Sequence, residues 1–207
     1  MSYKLILYRI RIFLLLILFI VAGCGSEEGS NDSDFNDDQV QEKNNVLLII
    51  ADDLGLDATV GYNIGDQKPS MPTLQKLINS GIKFNNVWSN PVCTPTRGTI
   101  LTGKYGYRTS VLKVDDVLST SEASIFKKLN DNTNYSSAFI GKWHLSGRPP
   151  DRNHPNNMGI EYYSGILGGG VQNYFNWTLS KNGQNSNVNQ YITSFFTDEA
   201  ISWINNQ

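Results

Sequence analysis

Cysteine and histidine are scarce: the 207 residues hold two Cys, Cys24 and Cys93, and two His, His144 and His154. A zinc centre built on Cys and His cannot be assembled within the chain, so any metal must rest mainly on oxygen donors. Basic charge is not in excess either, with 17 Lys and Arg against 19 Asp and Glu and a net charge of −2. Without a cationic surplus to neutralise phosphates, nucleic acid is excluded as the leading partner. Long apolar runs are also missing. The longest, residues 12–22, would extend about 16 Å as a helix against a hydrocarbon core of ~30 Å. Hydrophobic residues make up 40% and charged ones 17% of the chain, which excludes a wholly disordered polymer and fits one globular domain.

The short apolar run follows Lys4, Arg9 and Arg11 and precedes Gly23 and Cys24, the arrangement of a secretory leader. Val21, Ala22, Gly23 and Cys24 resemble a bacterial lipobox. That resemblance implies a signal peptide over 1–23, lipidation of Cys24, and a protein lipid-anchored to a membrane outside the cytoplasm, at the periplasmic face or cell surface. An ordinary secretory leader with an incidental Cys is the competing reading. Loss of 1–23 would leave 14 basic against 19 acidic residues. Residues 27–42 hold seven acidic side chains and no Lys or Arg among Gly, Ser, Asn and Gln, so 24–44 reads as a flexible acidic tether.

From residue 45 onward the composition is globular. Residues 46–50 are continuously apolar and predict a buried parallel strand ending at Asp52 and Asp53. Residues 72–80 carry Leu74, Leu77 and Ile78 at helical spacing and stop at Gly81. A second strand is predicted over 82–88, a short helix over 95–102 closed by Gly103, and a helix over 121–129 with Ser121 as its N-cap. Residues 137–143 predict a third strand and 192–204 an amphipathic helix, while 106–119 and 171–189 read as variable loops. Strands alternating with helices argue for an α/β layered fold with a mainly parallel sheet. The Gly168, Gly169, Gly170 run lacks the Lys and Ser/Thr that follow a phosphate-binding loop, and reads as a turn.

Three clusters carry chemistry. Asp52 and Asp53 sit at the carboxyl end of the first predicted strand, the edge where open α/β sheets place ligands. Two converging carboxylates need a cation or proton between them, and oxygen donors suit Ca²⁺ or Mg²⁺; a turn with one Asp facing solvent is the alternative. Cys93 precedes Thr94, Pro95, Thr96 and Arg97, a run that places the thiol beside a helix N-terminus, where anions are favoured. Arg97 follows within reach of the same anion. Lys142 and His144, two apart in Gly141, Lys142, Trp143, His144, offer a fixed cation beside a group that exchanges protons near neutral pH.

Taken in order, NVLLIIADDLG at 45–55, MPTLQKLINSGIKFNNVWSNPVCTPTRGTILTGKYGYR at 71–108, FIGKWHL at 139–145 and HPNNMGIEYYSGILGG at 154–169 resemble the sulfatase family, with CTPTR followed by LTG the most specific signal. The resemblance implies an alkaline-phosphatase-like α/β fold, incomplete at its C-terminus, with 45–207 as the N-terminal part of a catalytic domain. It implies that a maturation enzyme converts Cys93 to formylglycine, the nucleophile towards sulfur. Asp52, Asp53 and position 93 would ligate Ca²⁺; Arg97 and Lys142 would hold the formylglycine and its anionic adduct; His144 would act on its second hydroxyl. The implied substrates are sulfate monoesters, of small molecules or glycans. Thr96 stands where Ser is more common, and His154 reads as structural. Relatives continue through a later His, a further Asp with Asn or His, and another Lys, none of which is found here. The alternatives are a phosphoester or phosphonate hydrolase of the same superfamily, and an inactive truncated surface lipoprotein.

Overall fold

The structure, a computed structural model, describes residues 44–207. The expected signal peptide, the lipidation site Cys24 and all but the end of the acidic tether lie outside the described residues. Residues 44–48 group with an amino-terminal unit, and residues 49–207 form a second compact unit. In chain order the second unit runs α1 (Pro72–Ser80), α2 (Cys93–Thr102), α3 (Gly106–Thr109), α4 (Ile125–Asn132), β1 (Ala138–Lys142), α5 (His154–Asn157), β2 (Tyr162–Ile166), β3 (Trp177–Lys181), β4 (Gln184–Val188) and α6 (Ile192–Ile204). Among the described residues no helix is long and apolar enough to cross a membrane.

The four strands make one sheet in the order β1-β2-β3-β4. β1 and β2 are parallel, with Ala138 opposite Tyr162 and Lys142 opposite Ile166, whereas β2–β3 and β3–β4 are antiparallel. The fold is therefore α/β around an open, mixed sheet. Asn182 and Gly183 join β3 to β4 with φ of 44° and 79°, the left-handed pair whose twist matches that of the flanking strands.

Alternation along β2 assigns its two faces. Tyr163 points into a core with Leu101, Val111, Leu118, Trp143, Leu145, Met158 and Ile160, against which Phe126 and Phe139 pack. Ile166 points the other way, into a cluster with Trp177, Leu179 and Ile192 that Phe195 and Phe196 of α6 close. Burying Leu118, Leu145 and Met158 completely contributes about 1.5–3 kcal/mol for each side chain. Gly141 and Gly165 face each other across β1 and β2, and a Cβ on Gly165 would lie 1.8 Å from the Gly141 carbonyl oxygen. That contact is open only to glycine.

α1 and α6 coincide with the sequence reading. α2 begins two residues before the expected Pro95, which the missing N–H of a first-turn proline allows. The expected helix at 121–129 instead spans Ile125–Asn132, because Ser124 and not Ser121 is the N-cap: its Oγ accepts from Lys127 N at 3.1 Å and donates to the Met158 carbonyl at 2.5 Å. The strands expected at 46–50 and 82–88 do not form. Val46 is 84% and Trp88 93% exposed. A continuous apolar run becomes a central strand only where neighbours take up its backbone donors and acceptors, and none of the described strands pairs with either segment.

Candidate active site

The ladder between β1 and β2 runs on past Lys142, with Trp143 N donating to Ile166 O at 2.9 Å and His144 N to Leu167 O at 3.1 Å. His144 then turns into the left-handed region, at φ 58°, and its side chain is 5% exposed. Gly169 makes room for the ring, since a Cβ there would stand 2.7 Å from His144 Cε1. The sequence thus delivers an imidazole to the carboxyl end of a parallel pair, the edge at which α/β sheets bind ligands.

Cys93 is the first residue of α2, so its side chain stands where unpaired N–H groups favour negative charge. Its Sγ lies 3.3 Å from His144 Nδ1, and His144 Nε2 lies 2.8 Å from Asp115 Oδ1. A carboxylate accepts but does not donate, which puts the imidazole proton on Nε2 and turns the Nδ1 lone pair towards Cys93. Asp115 is itself held at φ 64°, with its N–H directed to the buried Thr94 Oγ1 at 3.4 Å and Arg148 3.7 Å from its other oxygen.

One turn into α2, Arg97 is nearly buried and uses both terminal nitrogens: NH2 bonds Asp52 Oδ2 at 2.9 Å, and NH1 donates to the Lys142 carbonyl. Lys142 Nζ reaches the same Asp52 oxygen at 2.6 Å. Partial burial pushes the Asp52 carboxyl up, but hydrogen bonds and positive charge from Lys142 and Arg97 outweigh it and hold the group below the usual carboxylate range. Asp53 follows at φ 57°, with its side chain exposed.

Asp52, Cys93, Arg97, Lys142 and His144, separated by up to 92 positions in the chain, thus fall into two networks, Cys93–His144–Asp115 and Asp52–Arg97–Lys142. The two are joined through α2, which carries Cys93 and Arg97, and through the segment that carries Lys142 and His144. The free Oδ1 of Asp52 and both oxygens of Asp53 are hard donors of the kind that Ca²⁺ or Mg²⁺ takes. They fit such a cation in chemistry but make only part of a shell of about 6–8 ligands, and no group of three or more His, Cys, Asp or Glu comes together as a metal site among the described residues. His154 stands apart in the core. Its Nδ1 accepts from Trp143 Nε1 at 3.1 Å and its Nε2 donates to Leu118 O at 2.7 Å, so both ring nitrogens are used and the role is structural.

Asp115 is the site residue that the sequence reading does not single out. It falls in the stretch read as a variable loop, 29 residues from His144, and no spacing rule links the two. The one local hint is the Asp115-Asp116 pair, since Asp tolerates the left-handed backbone that few other residues adopt.

The chain is similar to known proteins over most of the described residues. The chain is 29% identical to N-acetylglucosamine-6-O-sulfatase of Bacteroides thetaiotaomicron, over 79% of this chain and 28% of that protein. It is 35% identical to an ulvan-active sulfatase of Formosa agariphila, over 60% of this chain and 24% of the other. A protein solved in complex with its substrate, D-glucosamine-2-N,6-O-disulfate, superposes with a TM-score of 0.62 at 28% identity, covering 75% of this chain and 30% of that one. The chain spans about a quarter of the length of the curated relatives it matches. The family model described as Sulfatase matches residues 44–207, and with the thiol, cations and imidazole converging as they do, the chain belongs to the sulfatase family.

Proposed function

We propose that the protein carrying this chain hydrolyses sulfate monoesters of glycans, using a formylglycine made from Cys93 and a divalent cation, Ca²⁺ by its donor set, for which Asp52, Asp53 and the converted position 93 supply part of the shell. Once in place, these two groups supply a hydrated-aldehyde nucleophile and charge neutralisation for the sulfate oxygens. The observation that carries the reading is the placement of Cys93 at the start of α2, 3.3 Å from the unprotonated nitrogen of His144, with Arg97 one turn further along the same helix and Lys142 two residues before His144.

The chain's own residues do the rest. Sulfate transfer builds negative charge on nonbridging oxygens and on the leaving oxygen, and fixed positive groups lower that barrier without reorganising. Arg97 and Lys142 are such groups, both held by the Asp52 carboxylate, with Arg97 donating in addition to the Lys142 carbonyl. His144 Nδ1 takes or returns a proton at position 93, while Asp115 holds the tautomer and steadies the ring when it is charged. The glycan part of the proposal draws on relatives named for glucosamine and ulvan sulfates. An extracytoplasmic location with a lipid anchor at Cys24, and maturation by a separate formylglycine-generating enzyme, belong to the same proposal.

Mass spectrometry of the peptide containing position 93, from protein made in its own host, tests it. An aldehyde in place of the thiol, together with sulfate release exceeding phosphate release from matched aryl esters, is the expected result. An intact thiol in a preparation that still hydrolyses sulfate esters removes the proposed nucleophile.

A further inference from the structure

A cavity of about 580 Å³ opens at the carboxyl end of β2, within the range of small-molecule sites. Among the described residues its wall holds no Asp, Glu, Lys, Arg or His, and part of it is apolar, from Pro150, Ile166, Leu167, Val171 and Trp177. Gln172, Asn176 and Asn185 contribute amides instead, and Asn173 its NH₂ group, its Oδ1 being taken by Phe175 N and Asn176 N, with hydroxyls from Thr178 and Ser180. An amide offers donors and an acceptor together, and a hydroxyl does the same, so this lining is matched to ligand groups that also donate and accept. Ser180 is 2% exposed and its Oγ has no partner among the described residues. A buried hydroxyl left so is costly unless a ligand bonds it.

Two further features select the ligand. Phe175, between two of the lining amides, stacks on Tyr191 with centroids 5.1 Å apart, yet the rings are 64% and 43% exposed. Exposed aromatic faces in the loop that carries Asn173 and Asn176, together with apolar and polar groups mixed in the wall itself, suit a molecule with apolar C–H faces and hydroxyl edges. The cavity also adjoins the reacting groups. Gly168 and Gly170 line it, and Gly169 between them lies against the His144 ring.

We propose that this cavity binds an uncharged saccharide unit next to the sulfated sugar, so that the substrate is a sulfated oligosaccharide whose neighbouring residue is neutral. A uronate or a second sulfate there would lose its hydration without meeting a cation. The link to turnover rests on the sulfatase reading above; the binding itself does not.

The test uses the full protein as its host produces it, and the double variant Asn176→Ala, Asn185→Ala. Three substrates are compared: an aryl sulfate, a sulfated disaccharide with a neutral hexose neighbour, and the same sulfated sugar next to a uronate. Wild type is expected to favour the neutral disaccharide over the uronate by about tenfold or more in kcat/KM, and the variant to lose about tenfold on the neutral disaccharide while staying within about twofold on the aryl sulfate. Equal rates on both disaccharides, or equal losses on disaccharide and aryl sulfate, overturn the proposal. Calorimetric titration with the unsulfated neutral disaccharide reads the site without turnover: binding by wild type that the variant lacks supports it, and no binding by wild type, as when another segment of the protein fills the cavity, overturns it. A protein that hydrolyses no sulfate ester refutes the sulfatase reading, and the titration alone then decides the cavity.

Discussion

Asp115→Asn is the substitution whose consequence follows most directly from the geometry. Asn keeps the volume and an acceptor towards His144 Nε2, and removes the negative charge. The carboxylate oxygen lies 2.8 Å from a ring that is 5% exposed, and a hydrogen bond to a charged group contributes about 1.5–3 kcal/mol. The Asp115 side chain is 32% exposed, so solvent screening draws the value to the lower part of that range. A loss of about 1.5–2 kcal/mol corresponds to roughly a 10- to 30-fold fall in rate. The fall should lie in kcat, because Asp115 acts through His144 and touches no substrate-facing surface in the lining of the cavity. Steady-state kinetics of the full protein on an aryl sulfate measures it, with the fraction of converted position 93 quantified in each preparation so that impaired maturation is not mistaken for impaired turnover. Activity within about twofold of wild type, or a loss confined to KM, would refute the assignment of Asp115 as the residue that holds the imidazole.

Two further outcomes test the scaffold. Gly165→Ala forces a Cβ to 1.8 Å from the Gly141 carbonyl, so β1 and β2 cannot close and soluble, folded protein should be lost; Gly170→Ala, with nothing within 4 Å of its Cβ, should express as wild type, and equal yields of the two would contradict the close approach. His154 is held below its ordinary pKa of 6.5, mainly by burial, with Lys127 adding to this and the Leu118 carbonyl and Asp151 opposing it. The unfolded chain then binds a proton that the folded one resists, so the stabilisation is complete above pH 6.5 and is lost as pH falls below it. The melting temperature should drop between pH 7 and pH 5, and His154→Gln, which retains a donor and an acceptor, should flatten that segment; an unchanged slope would place the acid sensitivity elsewhere.

The parts of the fold that were legible in the sequence are those decided locally. Pro72 and Gly81 punctuate α1 without help from the rest of the chain, and the apolar face of α6 is written in Phe195, Phe196 and Trp203. Residues 46–50 mislead because an apolar run states only that a strand would be buried if partners were present, which is a non-local condition. β4 is hidden for the opposite reason: its Gln, Asn and Ser side chains are exposed and show no alternation, and the local sign of it is the Asn182-Gly183 hairpin turn. At the site, Asp52, Cys93, Arg97, Lys142 and His144 are picked out by a family pattern spread over residues 45–169. Asp115 is not, since its meaning arises only when α2 and β1 bring Cys93 and His144 together.

Three residues at the site, Asp53, Asp115 and His144, occupy left-handed backbone with φ of 57°, 64° and 58°. For a residue with a side chain that conformation costs roughly 1–2 kcal/mol, a cost that glycine escapes. Random mutation screened for thermal resistance alone would therefore drift towards Gly at these positions, producing a hardier protein without the imidazole and carboxylates of the site. Their side chains stand against the preference of their own backbone, so this corner of the fold gives up stability to hold two carboxylates and an imidazole in place.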